Sequence, residues 1–163
     1  KLLATKGFEG DSVSSLANVF VGGDTLSKSL ATQFNLRMER AGATAVAQQG
    51  YGLTEIGSVC VLASKDAEVG AIGRTINNVE GLIIGDDGGP VDDGQKGELV
   101  LYSNQNMLGY IGSDEDAFVT INGKKYLRTG DIFAKDGNDL TFFGRKKPPV
   151  GRFLKRPIIA QRL

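Results

Sequence analysis

The sequence predicts an α/β fold in which a parallel βαβ portion is followed by a small, distorted antiparallel β-barrel. An amphipathic helical pattern between two short apolar segments predicts the parallel crossover. Beyond about residue 70, short β-prone runs alternate with turn residues, which is typical of an antiparallel sheet or barrel. Glycine makes up 23 of the 163 residues, about twice its usual share, and most of the excess falls in those turns.

The first predicted strand covers residues 17–23 and ends in a glycine pair. Asp24 and Thr25 can then cap a helix that stops at Gly42. Apolar residues recur through this helix at three- or four-residue steps, which predicts one buried face. The predicted stripe consists of Leu26, Leu30, Phe34, Met38 and Ala41.

A second strand is predicted over residues 44–48, and it leads into a glycine-rich loop around Tyr51. Strand, helix and strand together form a parallel crossover unit. Ligands of such sheets bind off the carboxyl ends of the strands. The glycine pair after the first strand and the glycines that flank Tyr51 should therefore face the same crevice.

Six short strands are predicted in the second half of the chain. They cover residues 81–85, 97–103, 117–121, 125–128, 131–135 and 140–143. Asn122 and Gly123 stand between two β-prone runs and predict a tight hairpin. We therefore divide the chain into three parts. These are an α/β portion with the glycine-rich Tyr51 loop (1–69), an antiparallel barrel (70–145), and a hinge with a basic tail (146–163).

Several classes of active site are excluded because the sequence contains no histidine. Ser-His-Asp and Cys-His mechanisms need an imidazole, as do the common zinc sites. The single cysteine, Cys60, lies in the apolar run of residues 59–62, which favours a buried thiol in a reducing compartment. The sequence has neither a membrane-spanning apolar run nor a signal peptide, so we expect a cytoplasmic protein.

The charges are unevenly distributed. Residues 1–144 contain 12 basic and 19 acidic residues, whereas residues 145–163 contain 7 basic and no acidic residues. An acidic body argues against nucleic-acid binding, but it tolerates a phosphate ligand that brings its own magnesium ion. The basic tail could contact an anionic surface, although such tails are more often simply solvated.

Residues 49–55, Gln-Gly-Tyr-Gly-Leu-Thr-Glu, combine groups that suit a nucleotide bound with a metal ion. Glycines on both sides of Tyr51 let the backbone approach a flat ring. The Thr54 hydroxyl can donate a hydrogen bond to a phosphate oxygen, and Glu55 is a hard oxygen ligand for Mg²⁺. A Gly-Tyr-Gly turn before a helix-capping threonine would give the same pattern, so both interpretations stay open.

A second candidate site lies at the end of a predicted strand. Asp131 could accept hydrogen bonds from both hydroxyls of a ribose, and Arg145 closes a later strand with a guanidinium group. The alternatives are that Asp131 is a turn residue or forms a salt bridge with Arg128, and that Arg145 is a solvated surface cation.

Seven short motifs occur in a fixed order along the chain. They comprise residues 22–24, 51–55, 70–74, 97–99, 107–110, 129–131 and 144–147. In this order and spacing they closely resemble the adenylate-forming superfamily of acyl-CoA synthetases, luciferases and peptide-synthetase adenylation domains. The resemblance covers about residues 16–147, is greatest to acyl-CoA ligases, and implies the fold of part of that family's large N-terminal domain.

The resemblance implies a two-step reaction. A carboxylate attacks the α-phosphate of ATP to give an acyl-adenylate and pyrophosphate, after which a thiol, usually that of coenzyme A, takes the acyl group. The implied substrates are ATP, a carboxylic acid and CoA, with Mg²⁺ at the phosphates. Most of the catalytic effect in such a reaction comes from positioning and charge neutralisation.

The resemblance also implies a set of nucleotide-binding residues. These are Gly22, Gly23, Asp24, Gly50, Tyr51, Gly52, Thr54, Asp131 and Arg145. By this resemblance the backbone of residues 22–24 would line the adenine pocket, and Gly50 and Tyr51 would flank the ring. Asp131 holds the ribose hydroxyls, and Arg145 touches the same sugar.

Catalytic, hinge and acyl positions are implied in the same way. Thr54 binds the α-phosphate and Glu55 the magnesium ion, and these two are the catalytic pair. Lys147 occupies the family's hinge position, where lysine is common among acyl-CoA ligases. Residues 56–58 lie along the acyl pocket.

The chain departs from the family at both ends. The family's Ser/Thr/Gly-rich phosphate loop with its lysine belongs upstream, and a mobile C-terminal domain with a further lysine belongs beyond the hinge. From Pro148 to Leu163 nothing matches. We therefore expect a fragment that lacks the N-terminal half and the C-terminal domain of its parent and does not form acyl-adenylate alone.

Two further expectations follow from that truncation. An uncovered apolar face of the α/β portion would favour a homo-oligomer. The missing catalytic groups also leave a different class of function open, namely a non-catalytic nucleotide-binding or protein-interaction module.

Overall fold

The computed structural model describes residues 13–69, 71–111, 117–146 and 157–158. Gly70, the hinge position Lys147 and the basic tail beyond it, apart from residues 157–158, lie outside these residues. The described elements are β1 (Val19–Val21), α1 (Lys28–Arg40), β2 (Ala47–Leu53), a 3₁₀ turn (Thr54–Ile56), β3 (Ser58–Leu62), β4 (Arg74–Thr75), β5 (Glu80–Ile84), β6 (Lys96–Tyr102), β7 (Gly109–Tyr110), β8 (Phe118–Ile121), β9 (Lys124–Asp136), β10 (Asp139–Arg145) and β11 (Pro157–Ile158). None of the helical segments in the described ranges has the length and apolar character that a membrane crossing requires.

The first sheet has the strand order β1-β2-β3-β4. β1 and β2 pair in parallel, with Val19 opposite Ala47, and α1 connects them. The predicted βαβ unit is therefore confirmed. β3 and β4 extend the sheet in antiparallel fashion.

Helix α1 begins later than the sequence predicts. Its N-cap is Ser27, whose Oγ accepts a hydrogen bond from the Leu30 amide at 3.2 Å, so Asp24 and Thr25 are not the caps. The buried face also differs, because Leu30 is 46% exposed whereas Ala31 is 1% exposed. Leu30 lies eight residues before Met38 and so about 80° around the helix from that buried side chain.

Strand β2 corrects the prediction of a loop at Tyr51. The strand runs from Ala47 to Leu53, not over residues 44–48, and carries Tyr51 within it. It pairs with β3, a strand that the sequence did not predict. A bulge between the pairs Tyr51–Val61 and Gly52–Val59 leaves Cys60 as the extra residue on β3.

The second sheet is antiparallel, with the order β10-β9-β6-β5 and β8 paired to β9. It confirms the curled antiparallel portion of the predicted fold. The separate strands predicted over 125–128 and 131–135 are instead one strand, β9. The sequence between them, with its glycine at 130, forms a bulge within the strand and does not end it.

The predicted hairpin at Asn122 and Gly123 is confirmed. Ile121 pairs with Lys124 across a two-residue turn, and the central residues have φ values of 50° and 78°. Positive φ at both positions defines the turn type whose twist matches the flanking strands.

The main core contains side chains from both sheets. It includes Ile56, Cys60 and Val61 from the first sheet region together with Leu99 and Phe133 from the second. A smaller cluster around Met38 packs α1 against β1. The main core therefore fixes the position of β2 relative to β9.

Cys60 provides a first test of this core. Its side chain is fully buried, and burial raises the pKa of the thiol to about 12. The reactive species is the thiolate, so we expect Ellman's reagent at pH 8 to label native Cys60 only as fast as the protein unfolds. Immediate labelling in the absence of denaturant would contradict the packing. Labelling in urea provides the control for complete reaction.

Candidate functional site

A cleft of about 310 Å³ lies beside the carboxyl end of β1 and against β2, where the two sheets meet. Its lining residues are Gly23, Asp24, Thr25, Gln49, Gly50, Tyr51, Gly52, Leu53, Ile72, Asp131, Phe142 and Arg145. Gly23 after β1 and the glycines on both sides of Tyr51 therefore face one crevice, whereas Gly22 does not line it. This location matches the rule that parallel sheets bind ligands at a carboxyl edge.

Tyr51 and Asp131, which are 80 residues apart in sequence, are hydrogen-bonded in this cleft. The Tyr51 hydroxyl donates to Oδ2 of Asp131 at 2.7 Å. Nε of Arg145 lies 2.9 Å from Oδ1 of the same carboxylate. Asp131 is 1% exposed and Arg145 is 41% exposed, so the guanidinium lies between the carboxylate and solvent.

Aromatic packing holds the Tyr51 ring in place. The ring meets Phe133 edge to face at a centroid distance of 5.1 Å, and Phe133 in turn contacts Phe142 at 5.3 Å. Burial, with a further contribution from Asp131, raises the pKa of Tyr51 well above its ordinary value. Tyr51 therefore stays protonated and acts as a hydrogen-bond donor to the carboxylate.

A bulge in β10 brings Arg145 to Asp131. Phe142 pairs with Phe133, and the next pair along is Gly144 with Ile132, so Phe143 is the extra residue on β10. Arg145 then lies directly opposite Asp131 in the ladder. Bulges next to binding sites commonly redirect a side chain in this way.

The alternatives considered for Asp131 and Arg145 can now be compared with the contacts. Asp131 lies within strand β9 and is not a turn residue. Arg128 forms an ion pair with Glu98 at 2.9 Å, while Asp131 forms its ion pair with Arg145. Arg145 is therefore an ion-paired side chain of the cleft wall and not simply a solvated cation.

Thr54 and Glu55 follow the cleft-lining Leu53 but do not line the cleft themselves. Both lie in the 3₁₀ turn, where Thr54 is exposed. The Tyr110 hydroxyl donates to Oε1 of Glu55 at 2.7 Å, and the Met107 amide donates to the Glu55 carbonyl at 2.7 Å. The Glu55 carboxylate is thus held in one orientation.

Gly22 and residues 56–58, which were also predicted as site positions, do not line the cleft. Gly22 lies just behind the cleft, since a Cβ there would be 3.5 Å from the Gly50 carbonyl oxygen. Within the range 56–58, Ile56 is buried in the main core and Ser58 is exposed. Lys147 is outside the described residues.

Glu55, in the 3₁₀ turn, offers a carboxylate that could bind a magnesium ion. No group of three or more acidic, cysteine or histidine side chains gathers anywhere in the described ranges. Mg²⁺ in nucleotide sites is usually bound by one or two carboxylates together with phosphate oxygens and water. Glu55 therefore fits an ion that arrives with a nucleotide, and does not fit a closed protein metal site.

Sequence reasoning missed several cleft residues. Gln49 is 5% exposed, and its buried Oε1 has no hydrogen-bond partner in the part of the chain that the structure describes. It stands in the Tyr51 motif, and an amide side chain directly before the glycines of that motif was the available signal. Ile72 and Phe142 gave no such signal, because sequence does not distinguish an apolar residue that lines a cleft from an apolar residue of the core.

Comparison with known proteins adds a family match. A family model described as AMP-binding enzyme matches residues 1–111. The chain is 33% identical over 137 residues to 4-coumarate–CoA ligase CCL1 of Humulus lupulus, covering 80% of this chain and 24% of that protein. It is 35% identical over 134 residues to 4-coumarate–CoA ligase-like 2 of Arabidopsis thaliana, covering 80% and 23%. The chain thus spans about a quarter of these relatives' length.

Solved structures give the same fold. The anthranilate CoA ligase AuaEII, crystallised with anthranoyl-AMP, is 26% identical with a TM-score of 0.72, covering 88% of this chain and 27% of that chain. The luciferase-like enzyme of the Zophobas morio mealworm is also 26% identical, with a TM-score of 0.74 and coverage of 88% and 35%. A long-chain-fatty-acid-CoA ligase of Archaeoglobus fulgidus has a TM-score of 0.79 at 21% identity, covering 90% and 31%.

Proposed function

The chain belongs to the AMP-binding enzyme family, and on that premise we propose that its cleft binds the adenosine monophosphate portion of the substrate of an ATP-dependent acid–thiol ligase. In the proposed reaction a carboxylate oxygen attacks the α-phosphorus of ATP, and pyrophosphate leaves. The thiol of CoA then attacks the acyl carbon, and AMP leaves. We place this reaction in the cytoplasm, in keeping with the unpaired, buried Cys60.

The contact set of Asp131 is the observation that carries the proposal. Tyr51 donates to one oxygen of this buried carboxylate and Arg145 pairs with the other, so the carboxylate is held in one orientation on the cleft wall. A carboxylate in this position can accept hydrogen bonds from the two vicinal hydroxyls of a ribose. A charged acceptor makes these hydrogen bonds about twice as strong as neutral ones, so Asp131 would distinguish a ribose from a deoxyribose.

The adenine ring would lie along the glycine-lined part of the cleft. Gly23 and Gly50 carry no side chain that could block access to the backbone, and the Tyr51 ring has a fixed orientation because its hydroxyl is bound to Asp131. Asp24 and Gly52 complete this wall, and Gly22 supports it from behind. A flat purine can pack against such a surface without displacing side chains.

The phosphate side of the site would involve the 3₁₀ turn. We propose that Thr54 donates to the α-phosphate and that Glu55, oriented by Tyr110, binds the magnesium ion. When bound, that ion would neutralise phosphate charge during attack. Lys147 keeps its proposed hinge role, and the acyl group would extend past residues 56–58.

The proposed function is tested by comparing AMP with 2′,3′-dideoxy-AMP in calorimetric titrations of the chain. We expect AMP to bind at least about a hundredfold more tightly, because each of two hydrogen bonds to a carboxylate contributes about 1.5–3 kcal/mol and 1.4 kcal/mol is a factor of ten in affinity. Equal affinities would contradict a ribose-binding role for Asp131. Absence of all nucleotide binding, with a discrete protein partner recovered instead, would favour an interaction module.

A further inference from the structure

Glu98 is a buried carboxylate directly behind the cleft. It lies on β6, is 4% exposed, and does not line the cleft. Its Oε2 accepts from Nη2 of Arg128 at 2.9 Å, and its Oε1 accepts from the backbone amide of Gly130 at 3.1 Å. A buried carboxylate is stable only when it is paired and hydrogen-bonded, and these contacts meet that requirement.

The Gly130 amide belongs to the bulge in β9. Between the pairs Glu98–Ile132 and Val100–Arg128, β6 has one residue whereas β9 has three, at positions 129–131. The regular ladder cannot supply partners for the polar backbone groups of such a bulge. Gly130 also has a φ of 70°, a conformation that glycine adopts without steric cost.

Side-chain oxygens accept hydrogen bonds from two backbone amides of the bulge, those of Gly130 and Asp131. The Asp131 amide donates to the Thr129 hydroxyl at 3.1 Å, and that hydroxyl donates to the Leu99 carbonyl at 2.7 Å. The Gly130 amide donates to Glu98. Glu98 therefore holds the Thr129–Gly130 peptide, whose amide belongs to the residue immediately before Asp131.

We propose that Glu98 is a positioning residue for the nucleotide site, which fixes the bulge at 129–131 and so aims the Asp131 carboxylate at the ribose. This inference depends on the proposed function. A rotation of the peptide at Gly130 would move the neighbouring carboxylate, and displacement of a binding group by about 1 Å can lower its effect by two orders of magnitude. Charge strengthens the hold, because Glu98 accepts both hydrogen bonds as an anion.

The test measures ribose recognition in two variants of Glu98. Glu98→Ala removes the acceptor for the Gly130 amide, and we expect AMP affinity to fall about tenfold while affinity for 2′,3′-dideoxy-AMP stays unchanged. Glu98→Gln retains an oxygen that can accept from this amide, and should keep most of the preference for AMP. Ile84→Val, which trims a buried side chain on β5, is the control for reduced stability alone.

Amide hydrogen exchange at Gly130 gives a second readout that needs no ligand. We expect exchange to accelerate in Glu98→Ala and to remain slow in Glu98→Gln and Ile84→Val. Unchanged Gly130 exchange, or an undiminished preference for AMP in Glu98→Ala, would overturn the role of Glu98 while leaving the proposed function intact. A wild-type chain that does not distinguish the two nucleotides would instead refute the proposed function, and the role of Glu98 with it.

Discussion

Replacing Asp131 with alanine should weaken AMP binding by at least about a hundredfold. Each hydrogen bond to a charged group contributes about 1.5–3 kcal/mol, and the carboxylate would accept one from each ribose hydroxyl. Loss of both corresponds to about 3 kcal/mol or more, and 1.4 kcal/mol is a factor of ten in affinity. Calorimetric titration with AMP, in the presence of magnesium, measures the change directly.

Loss of stability must be separated from loss of binding in this variant. Asp131→Ala leaves the buried Tyr51 hydroxyl without its acceptor, at a cost of about 1–3 kcal/mol. Adding Tyr51→Phe removes that hydroxyl, so the double variant should regain stability without regaining affinity. Asp139→Ala is the matched control, because Asp139 lies in the same sheet as Asp131 and its loss breaks an exposed ion pair with Arg74 of the first sheet. AMP affinity that survives Asp131→Ala would refute the proposed ribose contact.

The second large effect concerns stability, in the variant Gly73→Ala. Gly73 has a φ of 96°, and a Cβ there would lie 2.2 Å from the Leu62 carbonyl oxygen and 2.4 Å from the Ala63 Cα. These are backbone atoms, so no side chain can rotate away. Backbone strain and overpacking each cost about 1–3 kcal/mol. We expect urea unfolding to show a loss of at least about 3 kcal/mol, a large part of a typical domain's stability.

Gly94→Ala is the matched control for that experiment. Gly94 has a similar φ of 84°, but nothing lies within 4 Å of its added Cβ. It should therefore suffer only the backbone term, about 1–2 kcal/mol. If both variants lose the same stability, close approach between residue 73 and the first sheet is not the cause.

Much of the fold could be predicted because local pattern and final structure agree. The parallel crossover and the Asn122–Gly123 hairpin both follow from signals within a few residues. The continuation of β2 through Tyr51 to Leu53 could not be predicted, since its glycines indicate a loop. At Gly52 the glycine instead allows close strand pairing, as a Cβ would lie 2.2 Å from the Ser58 carbonyl oxygen. Sequence alone does not distinguish these two uses of glycine.

The candidate site likewise contains residues that could be predicted from the sequence and residues that could not. Tyr51, Asp131 and Arg145 stand in short motifs with recognisable chemistry, and these residues could be proposed from the sequence. Glu98 could not be assigned a function, because its contact with the Gly130 amide joins residues 32 positions apart and depends on the bulge in β9. The same applies to Tyr110, whose hydroxyl reaches Glu55 across 55 residues.

The end of β10 connects the cleft to the polypeptide that follows. The Lys146 amide donates to the Gly130 carbonyl at 2.9 Å, and its ammonium group lies 2.7 Å from Asp86. One residue earlier, Arg145 holds Asp131. Residues 145 and 146 therefore anchor the end of β10 to the bulge at 129–131 from both sides of the strand pair, so a displacement of Lys146 would be transmitted to the backbone that carries the Asp131 carboxylate.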